Sequence, residues 1–432
     1  MMRRVSPFRR TLAEYRDAIG QFSPPARRLL LAQFLLFSGY GISQVLFNLY
    51  LIESGFGPQS VGHAIALFGL GVAATALPAG WIARRMGGGR TLMLGIAIDG
   101  IGQLLRCIWP VPWLVYSMCV FTGAGQSLIL IPSAPFLATH STPRERTHLF
   151  STLFALSLLA GVIGSLLGGW LPRLLLSLPG GFPGGLHGAY RAALVLGALV
   201  SLSGALAFLG LEREPRAVRH APRPTITPEL RRKLIPIGVN ALLIGAGAGL
   251  VIPFMNLYFA QRFSCSSAQI GSFFSVAQVL TASAALLAPV IARRFGKLRT
   301  ALTGQLLSLP FLVTMGAEHR LDVAVGAFWM RATLMQAITP LISTFVMETL
   351  PADMRSTATG LMSLLWNVGW ALSATLAGAV IQRFGYAVPF YATASLYAAA
   401  ALYFYASFRG SQEPHVDPDP PAGLPSIAEE PL

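Results

Sequence analysis

The sequence predicts an all-α membrane protein: twelve transmembrane helices in two pseudo-symmetric six-helix bundles. Three observations predict it. The 432 residues are 54% hydrophobic and only 11% charged, with a mean hydropathy of +0.60. Soluble domains carry about 25% charged residues, so a soluble fold of this size could not cover its surface. The apolar residues fall into twelve continuous runs, each near the roughly 20 residues needed to cross a bilayer. Finally, the second half of the chain repeats the first.

The runs lie near 28–53, 61–83, 91–109, 112–138, 147–171 and 189–210, then near 234–260, 268–292, 299–317, 321–349, 355–382 and 386–408. Only helices or closed barrels satisfy backbone hydrogen bonds in lipid. Continuous rather than alternating apolar stretches exclude a barrel. The composition also excludes a soluble enzyme, a disordered chain and a disulfide scaffold. Cys107, Cys119 and Cys265 show no metal-ligand spacing. The first run, from about Leu29 to Ile52, is too long for a signal peptide, so none is expected.

The net charge of +15 is a topological signal rather than a nucleic-acid one. Twelve spans put both termini on one side. That side holds 25 cations, including Arg3, Arg4, Arg84, Arg85, Arg90, seven in the 213–233 loop, Arg293, Arg294 and Lys297. The other holds five: Arg173, Arg191, Arg262, Arg320 and Arg383. This positive-inside asymmetry predicts cytoplasmic termini.

Five segments follow. Residues 1–27 form a cytoplasmic arm. Thr11-x-x-Glu14 resembles a capping box there, and Leu12, Tyr15, Ile19 and Phe22 recur at helical spacing. A surface-lying amphipathic helix and a loose basic arm both fit. Residues 28–210 form the N-terminal bundle. Residues 211–233, with Pro215, Pro222, Pro224 and Pro228, form a cytoplasmic linker. Residues 234–408 form the C-terminal bundle. Residues 409–432, Pro-rich and acidic, form a disordered tail.

The repeat is explicit. Ile82-Ala-Arg-Arg-Met-Gly87 returns as Ile291-Ala-Arg-Arg-Phe-Gly296, and Asn48-Leu-Tyr50 as Asn256-Leu-Tyr258. Val61-Gly62 returns as Ile270-Gly271, and Pro143 and Arg146 as Pro351 and Arg355. The offsets are 208 or 209 residues, always in the same order. A parallel repeat about an axis along the membrane normal puts a ligand site between the halves near the midplane, and rocking gives alternating access.

At these residues the chain resembles the major facilitator superfamily, over about residues 28–408. The family pattern after the second span is Gly-x-Leu-x-Asp-Arg-x-Gly-Arg-(Lys/Arg). This chain has Gly80-Trp-Ile82-Ala-Arg84-Arg85-Met-Gly87, and Pro289-Val-Ile291-Ala-Arg293-Arg294-Phe-Gly296-Lys297 after the eighth. The arginine and glycine carry over, while the acidic position is Arg84 and Arg293. Glu348 and Arg355 match the family's Glu-x6-Arg motif, with His140 at the position corresponding to the glutamate in the first half. The resemblance implies a cytoplasmic gate made of Arg85, Arg294, Glu348 and Arg355, with Arg294 able to pair with the glutamate; anchoring at the headgroups is the alternative. The fifth span reads Ala160-x3-Gly164-Ser165-x2-Gly168-Gly169, a partial form of the family's exporter signature. Close helix packing explains the same glycines.

The resemblance also implies that spans 1, 4, 7 and 10 line a central cavity. Their polar residues are Tyr40, Gln44 and Asn48; Thr122, Gln126 and Ser133; Asn240 and Asn256; and Arg331 and Gln336. Span 11 adds Asn367 and Trp370. Each is either a substrate contact or helix–helix glue. Ionisable residues within spans are functional hypotheses by default. Asp99 is the proton-coupling candidate; a structural network through Gln103 and Arg106 is its rival. A desolvated guanidinium at Arg331 invites an anion, from a substrate or from a protein carboxylate.

The expected function is secondary active transport of a small molecule by alternating access, as proton-linked efflux. The alternatives are a uniporter or importer of an organic anion, or a lipid-handling protein of the same fold. No catalytic set, cofactor, metal site or nucleic-acid partner is expected. The expected setting is a monomer in the inner membrane.

Overall fold

The computed structural model describes residues 22–210, 228–351 and 354–409. The amphipathic segment expected near residues 11–22 lies outside them except for Phe22. Residues 211–227 of the linker and residues 410–432 of the tail also lie outside.

The N-terminal bundle contains α1 (Pro24–Glu53), α2 (Pro58–Met86), α3 (Gly88–Ile108), α4 (Pro112–Thr139), α5 (Pro143–Leu176) and α6 (Gly185–Ser203). The C-terminal bundle contains α7 (Pro228–Val251), α8 (Met255–Phe263), α9 (Ser267–Phe295), α10 (Lys297–Ala317), α11 (Leu321–Thr349), α12 (Arg355–Phe384) and α13 (Ala387–Phe408). Among the described residues there is no strand. The helix α7 starts at Pro228, six residues before the expected start of the C-terminal bundle.

Local chemistry sets the ends. Proline opens α1, α2 and α4, where its missing N–H costs nothing. Reciprocal capping boxes start α5 (Thr142 with Glu145) and α9 (Ser266 with Gln269). Pro253 divides the seventh span into α7 and α8, joined by a 3-10 turn over Ile252–Phe254, because proline cannot continue the helical ladder.

Ten membrane-crossing segments qualify by length and hydropathy alone, with α7 and α8 together making one. The helices α9 and α11 complete the twelve and carry polar residues within their length. Ser267, Ser272, Ser275 and Gln278 lie on α9, and Arg331, Gln336, Thr339 and Ser343 on α11.

The internal repeat is structural as well as sequential. The Tyr50 hydroxyl donates to the Cys107 carbonyl at 2.7 Å, and the Tyr258 hydroxyl to the Met315 carbonyl at 2.7 Å. Each bond spans 57 residues. Gly87 and Gly296 link α2 to α3 and α9 to α10 as single residues. Their φ/ψ values are 86°/156° and 84°/150°. A side chain would strain that backbone, which is why glycine recurs in both copies.

We call the face where α1 begins and α13 ends the near face, and its opposite the far face. Within the N-terminal bundle α2 packs on α4, and α1 on α5 and α6; in the C-terminal bundle α9 packs on α11, and α7 on α12 and α13. Two pairs make the main contact between bundles, α2 with α12 and α5 with α9, and α1 also meets α8 and α9. The repeat exchanges these pairs.

Candidate functional site

The bundles are joined in their far halves. The Asn48 amide donates to the Asn256 side-chain oxygen at 3.0 Å and to the Pro253 carbonyl at 2.6 Å. The Asn256 amide donates to the carbonyls of Gln44 and Val45 at 3.2 and 3.0 Å. The proline break makes this lock feasible. The Leu257 N–H, which a continuous helix would direct at the Pro253 carbonyl, donates instead to the Asn256 side chain at 2.9 Å. Asn48 and Asn256, expected to line the cavity, are both buried and committed to each other. Asn256→Ala is expected to weaken closure of the far face by about 1 kcal/mol, a roughly fivefold shift. Spin-label distances across that face would read it.

A second seam joins α5 to α9. The Ser267 hydroxyl donates to the Gly169 carbonyl at 2.9 Å, and Ser275 to the Val162 carbonyl at 3.1 Å. The Gln278 amide donates to the Ser165 hydroxyl at 3.0 Å, and the Trp170 indole N–H to the Ser272 hydroxyl at 3.2 Å. A Cβ on Gly169 would meet the backbone at Ser267 and Gly271. The exporter-like stretch of α5 therefore serves packing on two sides, with Gly164 against α1 and Gly169 against α9. Ser267, Ser275 and Gln278 escaped the sequence reading. Their signal was helical spacing alongside the repeated Gly271.

Towards the near face the bundles part. Tyr40, Gln44, Gln336, Thr339, Ser343 and Ser363 are exposed, and Gln126, Asn367 and Trp370 are half-buried. A Cβ on Gly360 would meet nothing. This is a conformation closed at the far face and open at the near face. Trp370 stacks on Trp366 with centroids 4.9 Å apart, and the Asn367 amide bonds back to the Ser363 carbonyl at 2.7 Å.

Other expected cavity residues are buried in their own bundles. Thr122 bonds back to the Cys119 carbonyl at 3.0 Å. Asn240 is buried with its side-chain oxygen unpaired. Arg331, 4% exposed, points into the C-terminal bundle and donates to the Tyr397 hydroxyl at 3.3 Å. Nearby, Gln305 donates to the Tyr397 carbonyl at 2.9 Å.

In the N-terminal bundle, Asp99 is the one buried carboxylate among the described residues. It accepts from Gln103 at 2.6 Å. Arg106 ties three helices together. Its guanidinium lies 3.9 Å from the Phe47 ring centroid and donates to Ser43 at 3.4 Å and to the Cys119 sulfur at 3.5 Å.

The sequence pattern of the Major Facilitator Superfamily matches residues 29–239 and again residues 237–430. The chain belongs to that superfamily. It is a multi-pass membrane transporter, not an enzyme. The transporter is 27% identical over 144 residues to the multidrug resistance protein MdtH of Proteus mirabilis (strain HI4320), covering 33% of this chain and 36% of the relative. Its identity to MdtH of Sodalis glossinidius (strain morsitans) is 26% over 195 residues, covering 44% and 48%. The match thus spans between a third and a half of these curated relatives. In fold, it resembles a bacterial homologue of the human lysosomal transporter Spinster in an inward-facing and occupied conformation (TM-score 0.73, 16% identity, 89% of this chain and 96% of that one). It also resembles a D-xylose-proton symporter (TM-score 0.70, 15% identity, 88% and 97%).

The near-face charges differ from the expected arrangement in one pairing. Glu348 pairs with Lys297, not with Arg294. Lys297 is the first residue of α10, directly after the Gly296 turn, and reaches the end of α11 within the same bundle. Arg294 is exposed beside the Phe295 ring at 5.5 Å, and Arg85 lies over the Trp81 ring at 4.0 Å. Arg355 donates to the Leu350 carbonyl at 3.4 Å. With the bundles parted at this face, these groups serve their own bundles.

Proposed function

We propose that the transporter exports a small molecule by alternating access, driven by proton exchange at Asp99, as a monomer in the inner membrane with its near face cytoplasmic. The carrying observation is the Asp99 group. It places one carboxylate, hydrogen-bonded by a glutamine, buried inside the N-terminal bundle. A carboxyl within an apolar span can take up and release a proton, and no other is buried among the described residues.

Efflux is supported by the likeness to multidrug resistance proteins. The cytoplasmic assignment of the near face rests on the positive-inside asymmetry. The organic-anion alternative rested on Arg331, which the fold turns towards Tyr397, so the geometry lends it no support.

The test is a flux assay in liposomes loaded with a pH-sensitive dye. They are challenged with sugars, organic anions, amphiphilic cations and amino acids. A compound-dependent proton flux names substrate class and coupling together. Positive radiolabel counterflow without proton flux would sink the proton reading. Silence in both would shift weight to lipid handling.

A further inference from the structure

A cavity of about 580 Å³ opens at the far face, across the seam between the bundles. It is bounded by the far ends of α1, α5 and α6 on one side, and by α8 and the α8–α9 connection on the other. Its volume falls in the range of small-molecule sites, about 300–1,000 Å³. Leu49 and Leu257 line its inner part, each one residue beyond an asparagine of the far-face lock. Leu176 and Leu186 add apolar wall.

Two opposite charges, Glu53 and Arg173, also line it. Both are exposed, and they form no ion pair with each other among the described residues. Arg173 lies 5.3 Å from the ring centroid of Trp170. An apolar pocket carrying a separated carboxylate and guanidinium matches a molecule with an ammonium group, an anionic group and an apolar chain.

We infer that this cavity binds a zwitterionic amphiphile and that its occupant holds the far face closed. The walls belong to both bundles, so the site is complete only while the far ends of α1, α5 and α8 are together. A ligand that requires both sides stabilises the closed state by mass action. The inference does not depend on Asp99 or on the direction of transport.

Cys265 lines the same cavity and is 7% exposed, so parting of the far face would bare it. The experiment uses the full chain in phosphatidylglycerol nanodiscs. The labelling rate of Cys265 by a charged methanethiosulfonate is resolved from Cys107 and Cys119 by peptide mass. A single-chain phosphocholine amphiphile, below its micellar concentration, is expected to slow labelling about tenfold at ten times its dissociation constant. Glu53→Gln and Arg173→Gln should each remove the slowing. Trimethylammonium and sulfate compounds of the same chain should not produce it.

Slowing by diacyl phosphatidylethanolamine built into the disc would identify the bilayer as the source. Slowing by the soluble compound alone would identify a free amphiphile. Equal slowing by all headgroups, or slowing that survives in both variants, would overturn the inference. If wild-type Cys265 reacts too slowly to time, binding of the radiolabelled phosphocholine amphiphile decides. Saturable binding lost in both variants supports the site, and its absence in wild type refutes it.

Discussion

Asp99→Asn is expected to reduce substrate-driven proton movement to the level of protein-free liposomes, while counterflow of radiolabelled substrate continues. Asparagine keeps the size and the hydrogen-bonding reach towards Gln103, which bonds Asp99 at 2.6 Å, but it cannot exchange a proton. A group held at 4% exposure inside a bundle is costly to charge, so a purely structural Asp99 would show a different outcome. Substitution would then alter protein yield or stability and leave coupling intact in whatever inserted. Normal proton-driven accumulation by the variant would remove Asp99 from the mechanism.

Gly169→Leu is expected to abolish transport in a protein that still inserts. The α5–α9 seam has no space for it. A Cβ at this position would lie 2.7 Å from the Ser267 carbonyl oxygen and 3.0 Å from the Gly271 Cα. Backbone cannot move aside as a flexible side chain can. Over-packing of this kind costs about 3 kcal/mol at the upper end, enough to move a two-state equilibrium roughly 150-fold. The state closed at the far face loses, so Cys265 in the neighbouring connection should label faster. Gly326→Leu is the control, because a Cβ there meets nothing within 4 Å. Equal loss of transport in both variants would mean that the seam does not set the conformational balance.

Much of the path to these sites was legible in the residues. The 208-residue offset of Asn48 and Asn256 marked a symmetric pair before any contact was known. The repeated glycines at 87 and 296 marked the two turns that need positive φ. Asp99 stood out because a carboxylate in an apolar run is expensive. What the asparagines do was not legible. The family resemblance put them on cavity-lining spans, but their hydrogen bonds depend on how the bundles tilt together and on the break at Pro253. The partner of Glu348 was missed for a similar reason. The family resemblance pointed to Arg294, but the Gly296 turn starts α10 at Lys297 and brings that side chain to Glu348 instead.

Hydropathy, charge asymmetry and repetition by themselves determined the class, the twelve crossings and the duplicated halves. These are one-dimensional properties, because lipid forces each span to satisfy its own backbone. The closed far face, the cavity straddling it and the inward turn of Arg331 were decided only by the tertiary structure. Each depends on which side of one helix meets another, and small residues let backbones approach on more than one side. In α5, Gly164 and Gly169 serve two different neighbours five residues apart; only the packed bundles show which is which.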